Sequence, residues 1–233
     1  MLRPKLVVCC ALIIGASLLL CASGARAAMI TISTPAGSMT GGQPVSARAT
    51  FTTGTDSLTI FLENLQADPR SVTQNLSGLQ FHLSGFSAQT GGLQLASSSG
   101  TERTVGSDGH FTNGGAASTG WSLSTTGSDL KLNLLGTPAA PAHTIIGPPA
   151  ASGVYSNANP SITNGIHSPF FGGSASFTLN VPGVTMLTDV TSAIFQFNTS
   201  PGFTVTGQVP EPSAALLLLP SLLLASVRRR RVR

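Results

Sequence analysis

The sequence predicts an all-β protein: one antiparallel β-sandwich or jelly-roll-like domain over residues 28–208, between a signal peptide (1–27) and a C-terminal segment (209–233) with a short transmembrane helix. Three observations carry this. Apolar residues of the body alternate with Ser, Thr and Asn, as in Ala175, Phe177, Leu179 and Val181, or Leu130, Leu132 and Leu134. Period two puts each set on one sheet face and leaves the other face wet. These runs are short and bounded by Gly, Asn, Asp, Ser or Pro, which break strands and supply turn geometry. No stretch of the body holds a helical stripe over a dozen residues, and many short strands with turn residues between them argue for a sandwich or barrel.

In order, strands are expected at 29–34, 46–53, 57–65, 78–84, 92–97, 103–106, 119–125, 129–134, 174–181, 191–198 and 203–207. Gly54-Thr-Asp-Ser57 reads as a turn between two of them. Ser107-Asp-Gly109 holds the Asp-Gly pair that favours a tight hairpin with positive φ. Thr126-Gly-Ser128 makes 119–125 the hairpin partner of the leucine strand. Residues 136–173 form a long connection rich in Pro and Gly, with room for one brief strand at 143–146. Its apolar side chains, among them Ile145, Ile146, Val154, Tyr155, Ile162, Ile166, Phe170 and Phe171, predict a loop folded onto the sheet rather than a solvated linker.

The formal charge of +4 belongs to the ends. Arg3, Lys5 and Arg26 lie in the first 27 residues, and five arginines lie after residue 227. The body sets four basic against seven acidic side chains, a balance of −3. A nucleic-acid partner, which needs a basic face on the folded domain, is therefore not expected. Cys9, Cys10 and Cys21 all fall in the leader, so the body has no disulfide or thiolate ligand.

Arg3 and Lys5, the apolar stretch from Leu6 to Cys21, and the small residues Ala25 and Ala27 have the layout of a secretory signal cleaved after Ala27 by signal peptidase. Leu20 is too large to precede a lipidated Cys21. The apolar run 213–227 is fifteen residues long. As a helix it spans about 22 Å, short of the roughly 30 Å hydrocarbon core. Pro220 adds a kink. Arg228, Arg229, Arg230 and Arg231 set the topology, keeping that end cytoplasmic and the body outside. Such a segment suits transient insertion better than permanent anchoring.

Val209-Pro210-Glu211-Pro212, the short apolar run and the terminal arginines are together similar to the PEP-CTERM sorting signal. The resemblance implies recognition of Pro210, Glu211 and Pro212 by an exosortase, a membrane-embedded transpeptidase-like protease. It also implies removal of the tail and delivery to the cell surface or exopolysaccharide matrix. The body resembles uncharacterised members of that group in Ile145-Ile-Gly-Pro-Pro149, Tyr155-Ser-Asn157, His167-Ser-Pro-Phe170 and the stretch from Val190 to Thr199, which implies a shared fold and no activity.

Chemistry is sparse. His82, by its phase against Phe81 and Leu83, belongs to the wet face. Asp108-Gly-His110 reads as a hairpin turn, and His167 as a cap on a backbone carbonyl. The serines include no nucleophile elbow with ordered partners, and the seven acids no calcium loop or paired carboxylates. No catalytic residue, metal ligand or cofactor site is assigned. Trp121 and Tyr155 are the candidate glycan contacts, although a lone tryptophan opening an alternating strand is more often core. The sequence thus points to a secreted, non-enzymatic surface or matrix protein. A carbohydrate-binding module for the exopolysaccharide is the alternative and an extracellular hydrolase the third reading.

Overall fold

The computed structural model describes residues 29–86 and 91–209. The leader with Ala25 and Ala27, the motif from Pro210 to Pro212, the run 213–227 and Arg228 to Arg231 lie outside the described residues. Among the described residues the protein is all-β, with 49% strand and 4% helix.

Its strands are β1 (Met29–Ser33), the small hairpin β2 (Met39–Thr40) and β3 (Gln43–Pro44), β4 (Ala47–Gly54), β5 (Ser57–Asn64), β6 (Leu76–Leu83) and β7 (Gln94–Val105). Then come β8 (Phe111–Ala117), β9 (Ser122–Thr126), β10 (Asp129–Asn133), β11 (Ile145–Ile146), β12 (Phe170–Asn180), β13 (Val190–Phe197) and β14 (Thr204–Thr206). Pairing gives one run β1-β4-β5-β12-β7-β8 and a second run β14-β13-β6-β10-β9. β11 joins them by pairing with both β12 and β6. The result is β-sandwich-like.

Alternation explains the core. In β4 the buried residues are Ala47, Ala49, Phe51 and Thr53, and in β5 Leu58, Ile60, Leu62 and Asn64. Rings meet between the two runs: Phe51 on β4 lies 5.3 Å from Phe81 on β6, and Trp121 lies 5.1 Å from Phe177 on β12. Each such side chain taken out of water contributes about 1.5–3 kcal/mol. The three expected turns form. Thr55 and Asp56 join β4 to β5, Asp108 and Gly109 sit between β7 and β8, and Gly127 and Ser128 join β9 to β10.

Several boundaries differ from the sequence reading. The separate strands 92–97 and 103–106 are one twelve-residue strand, β7, continued through Ser98 to Thr101 by ladders to β12 and β8 rather than by apolar alternation. β8 was not expected, because Thr112-Asn-Gly-Gly-Ala116 has no alternation and is exposed on both faces. β12 starts at Phe170, inside the expected loop. The pairing is antiparallel except for β11 and β12, which run parallel over two residues.

The long connection does fold down, and Ile145 and Phe171 join the main core. Tyr155, Ile162 and Phe170 form a second cluster with Val72, Val105 and Ile146. Ile166 instead points outward. A short helix, α1 (Pro160–Thr163), starts there because Asn159 Oδ1 accepts the backbone N–H of Ser161 at 2.9 Å and Pro160 occupies its first turn.

Candidate functional site

Trp121 and Tyr155 do not serve as glycan platforms in this structure, which corrects the sequence expectation. Trp121 is 4% exposed and its indole N–H donates to the carbonyl of His143 at 3.1 Å. Tyr155 is 2% exposed; its hydroxyl donates to the carbonyl of Gly147 at 2.8 Å and accepts from Arg103 Nη1 at 2.9 Å. Burial raises the Tyr155 phenol above its ordinary range, with the Arg103 hydrogen bond opposing.

Several of the ionisable side chains hold segments together. Glu102 Oε1 lies 3.2 Å from His143 Nε2, whose other ring nitrogen lies 3.1 Å from the Thr119 carbonyl, so β7, the β8–β9 connection and the long loop meet at one imidazole. Asp129 accepts from Gln80 at 2.7 Å and lies 2.9 Å from His82 Nδ1, tying β10 to β6. The hydrogen bonds from Gln80 and then His82 hold its carboxyl below the usual range. Arg48 and Glu63 form a two-bond pair at 2.7 and 3.0 Å between β4 and β5. Asp56, Asp68 and Asp108 accept backbone N–H groups in loops. His167 Nδ1 lies 2.9 Å from the Ser161 carbonyl, the capping contact its sequence suggested. Among the described residues no three His, Cys, Asp or Glu side chains converge as metal ligands.

The feature that stands apart is the outer face of the β1-β4-β5-β12-β7 run. Cross-strand register aligns Thr31, Thr50, Phe61, Ser176 and Ser99 in one row. The next row is Met29, Thr52, Thr59, Thr178 and Ser97, and on the other side lie Ser33, Arg48, Glu63 and Ser174. Hydroxyls dominate, and the only charges in these rows are the paired Arg48 and Glu63. Phe61 sits among them 42% exposed, the only exposed Phe, Tyr or Trp among the described residues.

Beside this row the surface is dented. Between Phe171 and Ala175 β12 shifts register against β7, a bulge that accommodates Gly173 at φ +79°. β5 ends at Asn64, and β11 takes its place beside β12, with Asn64 Nδ2 bonding the Ile145 carbonyl at 2.8 Å across the hand-over. The bulge opens a groove of about 200 Å³ walled by Ser99, Thr101, Ser174 and Ser176, with bare backbone at Gly100 and Gly172. Such a surface can bind by hydrogen bonding and stacking, but it presents no nucleophile held by a base.

Sequence reasoning missed Phe61, although parity reveals it: it is out of phase with buried Ile60 and Leu62. The groove had no local signal, because it needs three strands in register. Val209 lies at the rim of the fold, 45% exposed, directly after Gln208, which exchanges backbone hydrogen bonds with Ser33 on β1 at 2.7 and 3.2 Å. Compared with known proteins, no family model, curated protein or solved structure matches the chain.

Proposed function

We propose that the chain is an exported, non-enzymatic protein of the cell surface or extracellular matrix, carried there by an exosortase-type sorting pathway. Signal peptidase removes the leader after Ala27. The short apolar run then holds the chain transiently in the inner membrane, with Arg228 to Arg231 on the cytoplasmic side. Processing at Val209-Pro210-Glu211-Pro212 frees the body.

The observation that carries this reading is the tail itself: a proline-flanked carboxylate, a run too short for the bilayer core, then four arginines in a row. The position of Val209 supports it. Among the described residues the last with backbone pairing is Gln208, and Val209, the first residue of the motif, follows it exposed to solvent, where an enzyme can reach it. The ionisable groups support the non-enzymatic part, since Glu63, Glu102, Asp129, His82 and His143 are engaged in ties between segments and Asp56, Asp68 and Asp108 in turns.

Replacing Pro210, Glu211 and Pro212 together by alanine is expected to leave an exported body on an unprocessed chain in the inner membrane. The mass of the mature C-terminus decides the matter. Native protein that keeps Arg228 to Arg233 would refute the sorting reading.

A further inference from the structure

We infer that the groove beside Phe61 is a binding site for an uncharged polysaccharide. The inference deepens the matrix reading by naming the chemistry the body grips, and it rests on that reading for its biological setting.

Recognition of a sugar chain needs an apolar ring for its C–H faces and hydroxyls or amides for its own hydroxyls. Both are present within two strand spacings. Phe61 is the exposed ring, and its two register partners are hydroxyl side chains, Thr50 and Ser176. Ser176 is also a wall of the groove, and Ser99 faces it from the next strand. From Phe61 to Ser99 is thus about 10 Å, twice the interstrand spacing and the reach of a disaccharide.

Charge selects among polymers. Arg48 and Glu63 neutralise one another at hydrogen-bond distance, and the groove wall itself is hydroxyl side chains, glycine backbone and the methyls of Ala116 and Ala175. The one cation beside the wall, Arg103 next to Gly172, is already engaged by Asn113, the Tyr155 hydroxyl and the Phe111 ring, so the field suits an uncharged chain better than an anionic one. The core does not explain the ring: Leu58, Ile60 and Leu62 fill the inner face of β5, and Phe61 projects from the other. The groove is also built into the backbone, because it follows from the bulge at Gly173 and the replacement of β5 by β11, so it is preformed rather than induced.

The test is affinity electrophoresis of the full-length protein in mild detergent, in native gels containing dextran, galactomannan or, as anionic comparison, alginate. Retardation by dextran or galactomannan is expected, weakened at least about tenfold in Phe61→Ala, the usual cost of deleting a central aromatic contact, and kept in Phe61→Trp. Ser99→Arg, at an exposed groove wall where folding is not at risk, is expected to block binding as well. No retardation by either neutral polymer, retardation by alginate alone, or neutral-polymer binding that both Phe61→Ala and Ser99→Arg leave unchanged would overturn the inference. Tail processing is measured separately on the same variants, so a processed protein that binds neither polymer refutes this site and leaves the sorting reading standing.

Discussion

Gly147 has no room for a methyl group. A Cβ there would run into the carbonyl oxygen of Gln66 and crowd the side-chain oxygen of Asn64, at the point where β11 replaces β5. Gly147→Ala is therefore expected to destabilise the protein by about 1–3 kcal/mol, the usual range for overpacking against atoms that cannot retreat. Gly91→Ala, where a Cβ meets nothing within 4 Å, is expected to leave stability nearly unchanged; urea midpoints of both variants check the contrast. Residue-level legibility was uneven. The sequence offers Trp121 as a glycan contact, with the core as the commoner place for a lone tryptophan opening a strand, and it is buried. Tyr155 could be read only as apolar content of a loop, because its hydroxyl partners, Arg103 and Gly147, come from separate segments that the fold brings together.

At the scale of elements, β10 is held to β6 by the ladder pairing Leu130 with Phe81 and Leu132 with Leu79, and by the Asp129 contacts to Gln80 and His82. Because the Asp129 carboxyl is held below its ordinary value, the tie contributes fully above the unfolded value near pH 4. It is lost as pH falls through the lower folded value. Asp129→Asn is thus expected to lower the urea midpoint at neutral pH and to flatten its decline below about pH 4. Parallel slopes for the two proteins would contradict this. Strands with strict alternation, β4, β5, β10 and the C-terminal half of β12, were legible because one face is buried and the other wet. β8 was not, since it buries neither face fully and exists through its hairpin with β7.

Among the described residues the fold is held by packing, hydrogen bonds and a few ion pairs. All three cysteines precede residue 29, so thermal unfolding of a protein lacking residues 1–27 is expected to have the same midpoint with and without dithiothreitol; a lower midpoint under reduction would contradict that. The sequence by itself determined the all-β class, most strand positions, three turns and the acidic, charge-poor body, because these depend on period two, on turn chemistry and on composition, which are local. It also carried the reading of the two ends, whose signals are linear. Only the tertiary structure decided that Trp121 and Tyr155 are inside, that Phe61 stands in a row of hydroxyls, and that a bulge at Gly173 opens a groove beside it. Those facts depend on register between strands far apart in the chain, and a one-residue slip in any of them would turn the row to the opposite face.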